Sequence, residues 1–179
     1  MRLMTVEEII DEIIRREGGY VNHKNDRGGP TNMGVTQKTL SNFLGREVSI
    51  EEVKNLSKEM AEEIYSRNYY EKPGIAKLPK EIQPIMLDAC VLYGPRRAIR
   101  FLQTVINEAG FGPTAVDGIS GPGTRKLAEK ANESMGGFLI NAIVEERIEF
   151  CERIVENNPS QSVFLKGWTN RANEFRVEV

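Results

Sequence analysis

The chain has 179 residues, 40% of them hydrophobic and 28% charged, with a net charge of −2. That balance fits a soluble globular protein of one domain, or one and a small appendage, long enough to bury roughly 70% of its unfolded surface without disulfide or metal staples. The slightly acidic net charge argues against a general nucleic-acid binder. No stretch approaches the ~18 apolar residues of a membrane span, so no stable membrane insertion is expected.

The first residues, M-R-L-M-T-V-E-E-I-I-D-E, are too charged for a signal peptide. Synthesis in the cytoplasm is therefore expected, and any substrate beyond it is reached with the help of another factor. Thr5 and Glu8 have capping-box spacing. Val6, Ile9, Ile10, Ile13 and Ile14 repeat at helical period, Glu17 falls on the same stripe, and Gly18-Gly19 supply a stop. Residues 18–36 are too glycine-rich for helix, and short strands are expected at 20–22 and 33–35.

Thr36 is placed to cap a short helix that ends at Gly45, and Ser49 with Glu52 forms a second capping box. Ser57 opens a longer helix running to about residue 70. A helix at 81–92 tolerates Pro84 in its first turn. Gly94-Pro95 breaks the chain before a helix carrying Ile99, Leu102, Val105 and Ile106. A loop spans 112–123, and Pro122 suits the start of the next helix. The longest helix is expected at 137–156, followed by one capped by Ser160 that carries Phe164, Leu165, Trp168 and Phe175. Period-2 patterning is nearly absent, so the fold is mainly α with at most a small sheet beside the first helix.

Cys90 and Cys151 sit at helical spacing among apolar residues and read as small core residues rather than a disulfide, in keeping with a reducing compartment. His23 is the one histidine and has no metal-ligand partners at suitable spacing. No metal and no cofactor is expected.

The most unusual stretch is residues 16–36, R-E-G-G-Y-V-N-H-K-N-D-R-G-G-P-T-N-M-G-V-T. Glu17 follows apolar residues on a core-facing stripe and sits at the negative end of a helix. Desolvation and the helix dipole both favour its neutral form, as a general acid for glycosidic cleavage requires. Asp26, in a polar loop, is expected to stay ionised, either to activate a water or to stabilise an oxocarbenium-like transition state. Thr31 is the candidate for holding that water. Gly28, Gly29 and Gly34 let backbone approach a substrate closely. The competing structural readings are a solvated or ion-paired Glu17 and a turn-forming Asp26.

These residues also carry a resemblance. The stretch from Glu17 to Thr36 closely resembles the glycine-rich signature of glycoside hydrolase family 108, a family of N-acetylmuramidases found as phage endolysins and bacterial secretion activators. Further segments resemble the same family over most of the chain: I-Y-S-R-N-Y-Y at 64–70, A-I-R-F-L-Q at 98–103, V-D-G-I-S-G-P-G-T at 116–124, E-R-I-E-F at 146–150 and F-L-K-G-W-T-N-R at 164–171. The resemblance implies a phage-lysozyme-like fold, α+β with a helical bundle around a small hairpin. It also implies cleavage of the β-1,4 bond between N-acetylmuramic acid and N-acetylglucosamine, with Glu17 as the catalytic acid. Asp26 and Thr31 follow by analogy with the Glu, Asp, Thr order of phage-type lysozymes.

Tyr20, Asn22, Gly29, Asn32, Gly34 and Tyr69 are the candidate substrate contacts. Two departures stand out: His23-Lys24 where the family often has Asp-Pro, and Leu92-Tyr93-Gly94 where Asn before Gly is common. The second puts a cleft amide in doubt. The implied organisation is a muramidase part at 1–95 and a peptidoglycan-binding-like helical part at 96–179, packed as one compact, monomeric domain. Its partner is peptidoglycan in the periplasm or cell wall. A catalytically silent peptidoglycan-binding module and a lytic transglycosylase are the alternatives. Arg96, Arg97 and Arg100 read as a solvated helix face, Trp168 as core, and 112–124 either as a sugar contact or as a structural turn.

Overall fold

Side-chain hydroxyls set the helix starts in the N-terminal half. In the computed structural model, which describes residues 3–22 and 29–179, Thr5 accepts from the Glu8 amide at 3.2 Å and opens α1, Val6–Glu17. Thr36 accepts from the Thr39 amide at the head of α2, Gln37–Leu44, and Gly45 ends it at φ 72°. Ser49 and Glu52 form the full reciprocal box of α3, Ile50–Lys54. Ser57 caps α4, Lys58–Tyr65. Each cap satisfies a donor that the first helical turn leaves without a partner.

The described residues fall into two compact units, Met1–Glu71 and Lys72–Val179. The division lies ahead of the 95/96 position suggested by the motifs. In the first unit, α1 buries Ile9, Ile10, Ile13 and Ile14 and packs against α4, whose buried face is Ala61, Ile64 and Tyr65. A two-stranded antiparallel sheet, β1 (Thr31–Asn32) and β2 (Val35–Thr36), pairs Thr31 with Thr36 and Asn32 with Val35. Strand β1 lies on α3 and β2 on α2. The strand expected at 33–35 is corrected: Met33 and Gly34 form the turn, and only Val35 is in a strand. The long helix expected to reach residue 70 changes form on the way, widening into a π-helical stretch at Ser66–Glu71.

In the second unit the central element is α5, Gln83–Tyr93, buried from Gln83 and from Ile85 through Cys90. A helix apolar nearly all round belongs in a core. It packs on α6 (Pro95–Glu108) and α8 (Gly137–Asn157); α6 also meets α7 (Pro122–Met135), and α8 meets α9 (Ser162–Asn173). Pro84, Pro95 and Pro122 each sit in a first turn, where no intrahelical amide is lost.

Two expectations fail here. Ser160 does not cap α9. It lies in the 3-10 turn Pro159–Gln161 and donates to Asn158 Oδ1 at 2.6 Å, while Phe175 lies beyond the helix end. Trp168 is only half-buried and stacks on Phe164, which is 51% exposed, so this face of α9 is a surface. Both cysteines are buried and free; Cys151 Sγ lies 3.0 Å from the Tyr93 hydroxyl.

Candidate active site

Glu17 is the last residue of α1 and is half-buried. The helix stops there because Gly18 takes φ 82°, and its amide closes the final turn on the Ile14 carbonyl. The carboxyl is thus placed at a helix C-terminus, one turn beyond Ile13 and Ile14, which anchor the helix in the core.

The β1–β2 hairpin comes up against this helix end. Met33 (φ 51°) and Gly34 (φ 78°) both occupy the left-handed region, which is the backbone of a type I′ two-residue turn. A Cβ added at Gly34 would lie 2.5 Å from Tyr65 Oη, 2.9 Å from Glu17 Cγ and 3.0 Å from Glu17 Cβ. Glycine is required there twice over, by φ and by the close approach of the turn to the aliphatic stem of Glu17. On the far side of the turn stands Tyr65, 2% exposed, whose hydroxyl donates to the Met33 carbonyl at 2.5 Å. Tyr69 packs its ring on Tyr65 with centroids 5.6 Å apart. Tyr69 belongs to the π-helical stretch, a helix distortion frequent at functional sites.

The remaining candidates distribute as follows. Thr31, half-buried, pairs with Thr36 on one edge and exchanges two 2.8 Å backbone bonds with Val21 on the other. Asn32 is 8% exposed, and its amide donates to the Val53 and Lys54 carbonyls at 3.1 and 3.0 Å. That side chain ties the hairpin to the end of α3, where the carbonyls have no intrahelical partner. Tyr20 is half-buried and Asn22 exposed. Gly29 has φ 72° with open space around its Cα. Asp26, Gly28 and His23 lie outside the described residues. The structure therefore brings together Glu17, Gly34 and Tyr65, with Thr31 on the strand that leads into the same turn. A half-buried carboxyl backed by a backbone turn is suited to proton transfer.

Tyr65 was not singled out from the sequence, because a Tyr at core spacing on a helix reads as packing. The available signal was chemical: a fully buried Tyr requires a partner for its hydroxyl.

In the second unit, the stretch 116–124 is organised by Gln103 of α6, which is 1% exposed. Its amide donates to Asp117 Oδ1, the Ile119 carbonyl and Thr124 Oγ1 at 3.0 to 3.2 Å, and its carbonyl oxygen accepts from the Gly118 amide at 2.9 Å. Asp117 also accepts from the Ile119 amide, and these bonds hold its carboxyl below the usual range. These contacts are those of a built turn. Arg97 lies over the Phe150 ring at 4.7 Å, so it is not simply a solvated cation. Among the described residues no cluster of His, Cys, Asp and Glu could hold a metal ion, and no helix is long and apolar enough to cross a membrane.

The comparisons with known proteins fall on the same regions. A family model described as glycosyl hydrolase 108 matches residues 10–94, and a second, described as a predicted peptidoglycan domain, matches 97–173. A solved structure of Brucella abortus SagA is 34% identical, with a TM-score of 0.78, over 96% of this chain and 91% of that one. The mainly helical, lysozyme-like architecture implied by the sequence agrees with that likeness. No curated protein matches.

Proposed function

The chain belongs to the glycosyl hydrolase 108 family, and from that premise we propose that it is an N-acetylmuramidase, hydrolysing the β-1,4 bond between N-acetylmuramic acid and N-acetylglucosamine in peptidoglycan. The observation that carries the reading is the placement of Glu17: a carboxyl at the end of α1, in the family's hydrolase region, with the turn of the hairpin against its stem. Glu17 protonates the glycosidic oxygen as the bond to C1 breaks. Asp26 takes the proton of the attacking water or supports the positive charge at C1, and Thr31 positions the water. No cofactor enters this scheme.

Tyr20, Asn22, Gly29, Gly34 and Tyr69 line the substrate path in this proposal, while Asn32 supports the hairpin from beneath. Residues 96–179 supply affinity for the polymer, a role supported by the peptidoglycan domain matched there. The protein acts as a monomer on the cell wall.

The test is a zymogram against purified peptidoglycan with a Glu17→Gln control. The variant is expected to remain folded and to lose at least about 10²-fold in activity, the usual worth of a general acid. Activity within about threefold of wild type removes Glu17 from the chemistry. Mass spectrometry of the digest separates hydrolysis, which leaves reducing ends, from transglycosylation, which leaves anhydro-sugar ends.

A further inference from the structure

We propose that Tyr65 is a positioning residue for Glu17, acting through the hairpin turn; the inference rests on Glu17 being the acid. The turn residue Met33 holds a left-handed backbone that a side chain rarely adopts, at φ 51°. Such a conformation persists only where its surroundings fix it. Here the fixing contact is the buried Tyr65 hydroxyl on the Met33 carbonyl. The next residue, Gly34, is wedged between that hydroxyl and the Cβ and Cγ of Glu17, so closely that no side chain fits. The three parts form one stack: the Tyr65 hydroxyl, the turn backbone, and the stem of the acid.

Tyr65 is itself fixed. It lies on the buried face of α4, beside Ile64 and against α1, and its ring is packed by Tyr69. The register of α4 against α1 thus reaches the acid by two routes, through helix packing and through the turn. A turn released from Tyr65 no longer bears on the Glu17 stem at a fixed distance, and the carboxyl gains rotamers that do not face the scissile oxygen. Misplacement on that scale lowers the rate of the chemical step while leaving ground-state binding nearly intact.

The measurement is steady-state kinetics of Tyr65→Phe on soluble glycan oligosaccharides from peptidoglycan, beside Ile64→Val. The latter trims the neighbouring core residue without touching the turn. Tyr65→Phe is expected to lower kcat about tenfold, with KM within about twofold, whereas Ile64→Val keeps wild-type kcat. A kcat for Tyr65→Phe within about twofold of wild type overturns the proposal, and so does a change confined to KM.

A second pair of variants tests the route. Glu17→Asp draws the carboxyl back by one methylene from the stem that the turn bears on. Adding Tyr65→Phe to it should cost less than about twofold further, because two residues acting as one unit are not additive. A full tenfold cost in that background shows that Tyr65 acts independently of Glu17. Gly34→Ala displaces the turn with the Tyr65 hydroxyl intact and is expected to lower kcat as well; wild-type kcat there also overturns the inference. Full activity in Glu17→Gln removes the acid assignment and this inference together. Loss in Glu17→Gln with wild-type kcat in Tyr65→Phe removes the inference alone.

Discussion

In the scheme proposed above, Asp26 is the group that decides between two routes of hydrolysis. It follows Glu17 in the same glycine-rich sequence motif, and in an inverting enzyme the two carboxyls stand about 6.5–9.5 Å apart with a water between them, against about 5–5.5 Å in a retaining one. The wider, inverting arrangement is expected, with Thr31 beside the water. NMR of the first-formed product from the β-linked polymer should then show the α-anomer. A β-anomer, or a trapped glycosyl–Asp26 adduct, makes Asp26 a nucleophile instead, and an Asp26→Asn variant with wild-type activity moves the second carboxylate elsewhere. The residues of this site were legible to unequal degrees. Glu17 was readable because a helical stripe and a double glycine fix its position at a helix end. Asn32 sat in the same motif but spends its amide on the α3 carbonyls, a tie across about twenty residues that no local pattern announces.

The elements show the same limit on a larger scale. Helix starts were readable wherever a hydroxyl caps within three residues, as at Thr5, Thr36, Ser49 and Ser57. Ser160 failed because Asn158 takes its hydroxyl. The clamp that joins three helices of the second unit was not readable. Asp88 of α5 accepts from Arg147 of α8 at 2.8 Å and from Arg171 of α9 at 2.9 Å, and both Asp88 and the Arg147 side chain are 0% exposed. Arg147 also lies against the rings of Tyr93 and Phe175, at 5.3 and 5.8 Å. In sequence these are isolated charges in helices 59 and 83 positions apart, with nothing to mark them as partners. Asp88→Asn leaves two guanidinium groups without their carboxylate. It is expected to cost about 3–5 kcal/mol, the usual penalty for breaking a buried pair, measured as a shift of the urea midpoint. A loss below about 1 kcal/mol means that the aromatic faces hold Arg147 unaided.

Over the whole molecule, two carboxylates, one in each unit, should respond to pH with opposite signs. In the first, Glu52 accepts from Arg46 and from the Ser49 amide, which push its carboxyl from 4.5 down to about 2. Its stabilisation is complete above the unfolded value and is lost as pH falls through the folded one. The pair is exposed, so salt also weakens it. In the second unit Glu146 is pushed upward, first by burial and against the pull of Arg153, with Glu108 and Glu149 adding repulsion. Here the folded state holds the proton more tightly than the unfolded chain. The contribution is complete below the ordinary carboxylate value and is lost as pH rises through the raised one. Asp117, in the same unit, is depressed, so its contribution is complete above its ordinary 3.8 and is lost only below it, and its window does not overlap that of Glu146. Thermal melts of wild type, Glu52→Gln and Glu146→Gln across pH separate these effects. Glu52→Gln should flatten the fall in Tm from about pH 4.5 down to about pH 2. Glu146→Gln should remove a decline above about pH 4.5 and leave the protein at least as stable as wild type at neutral pH, because the half-exposed Arg153 returns to solvent at little cost. A Glu146→Gln variant that melts below wild type at neutral pH shows instead that the ion pair with Arg153 outweighs the burial of the carboxylate.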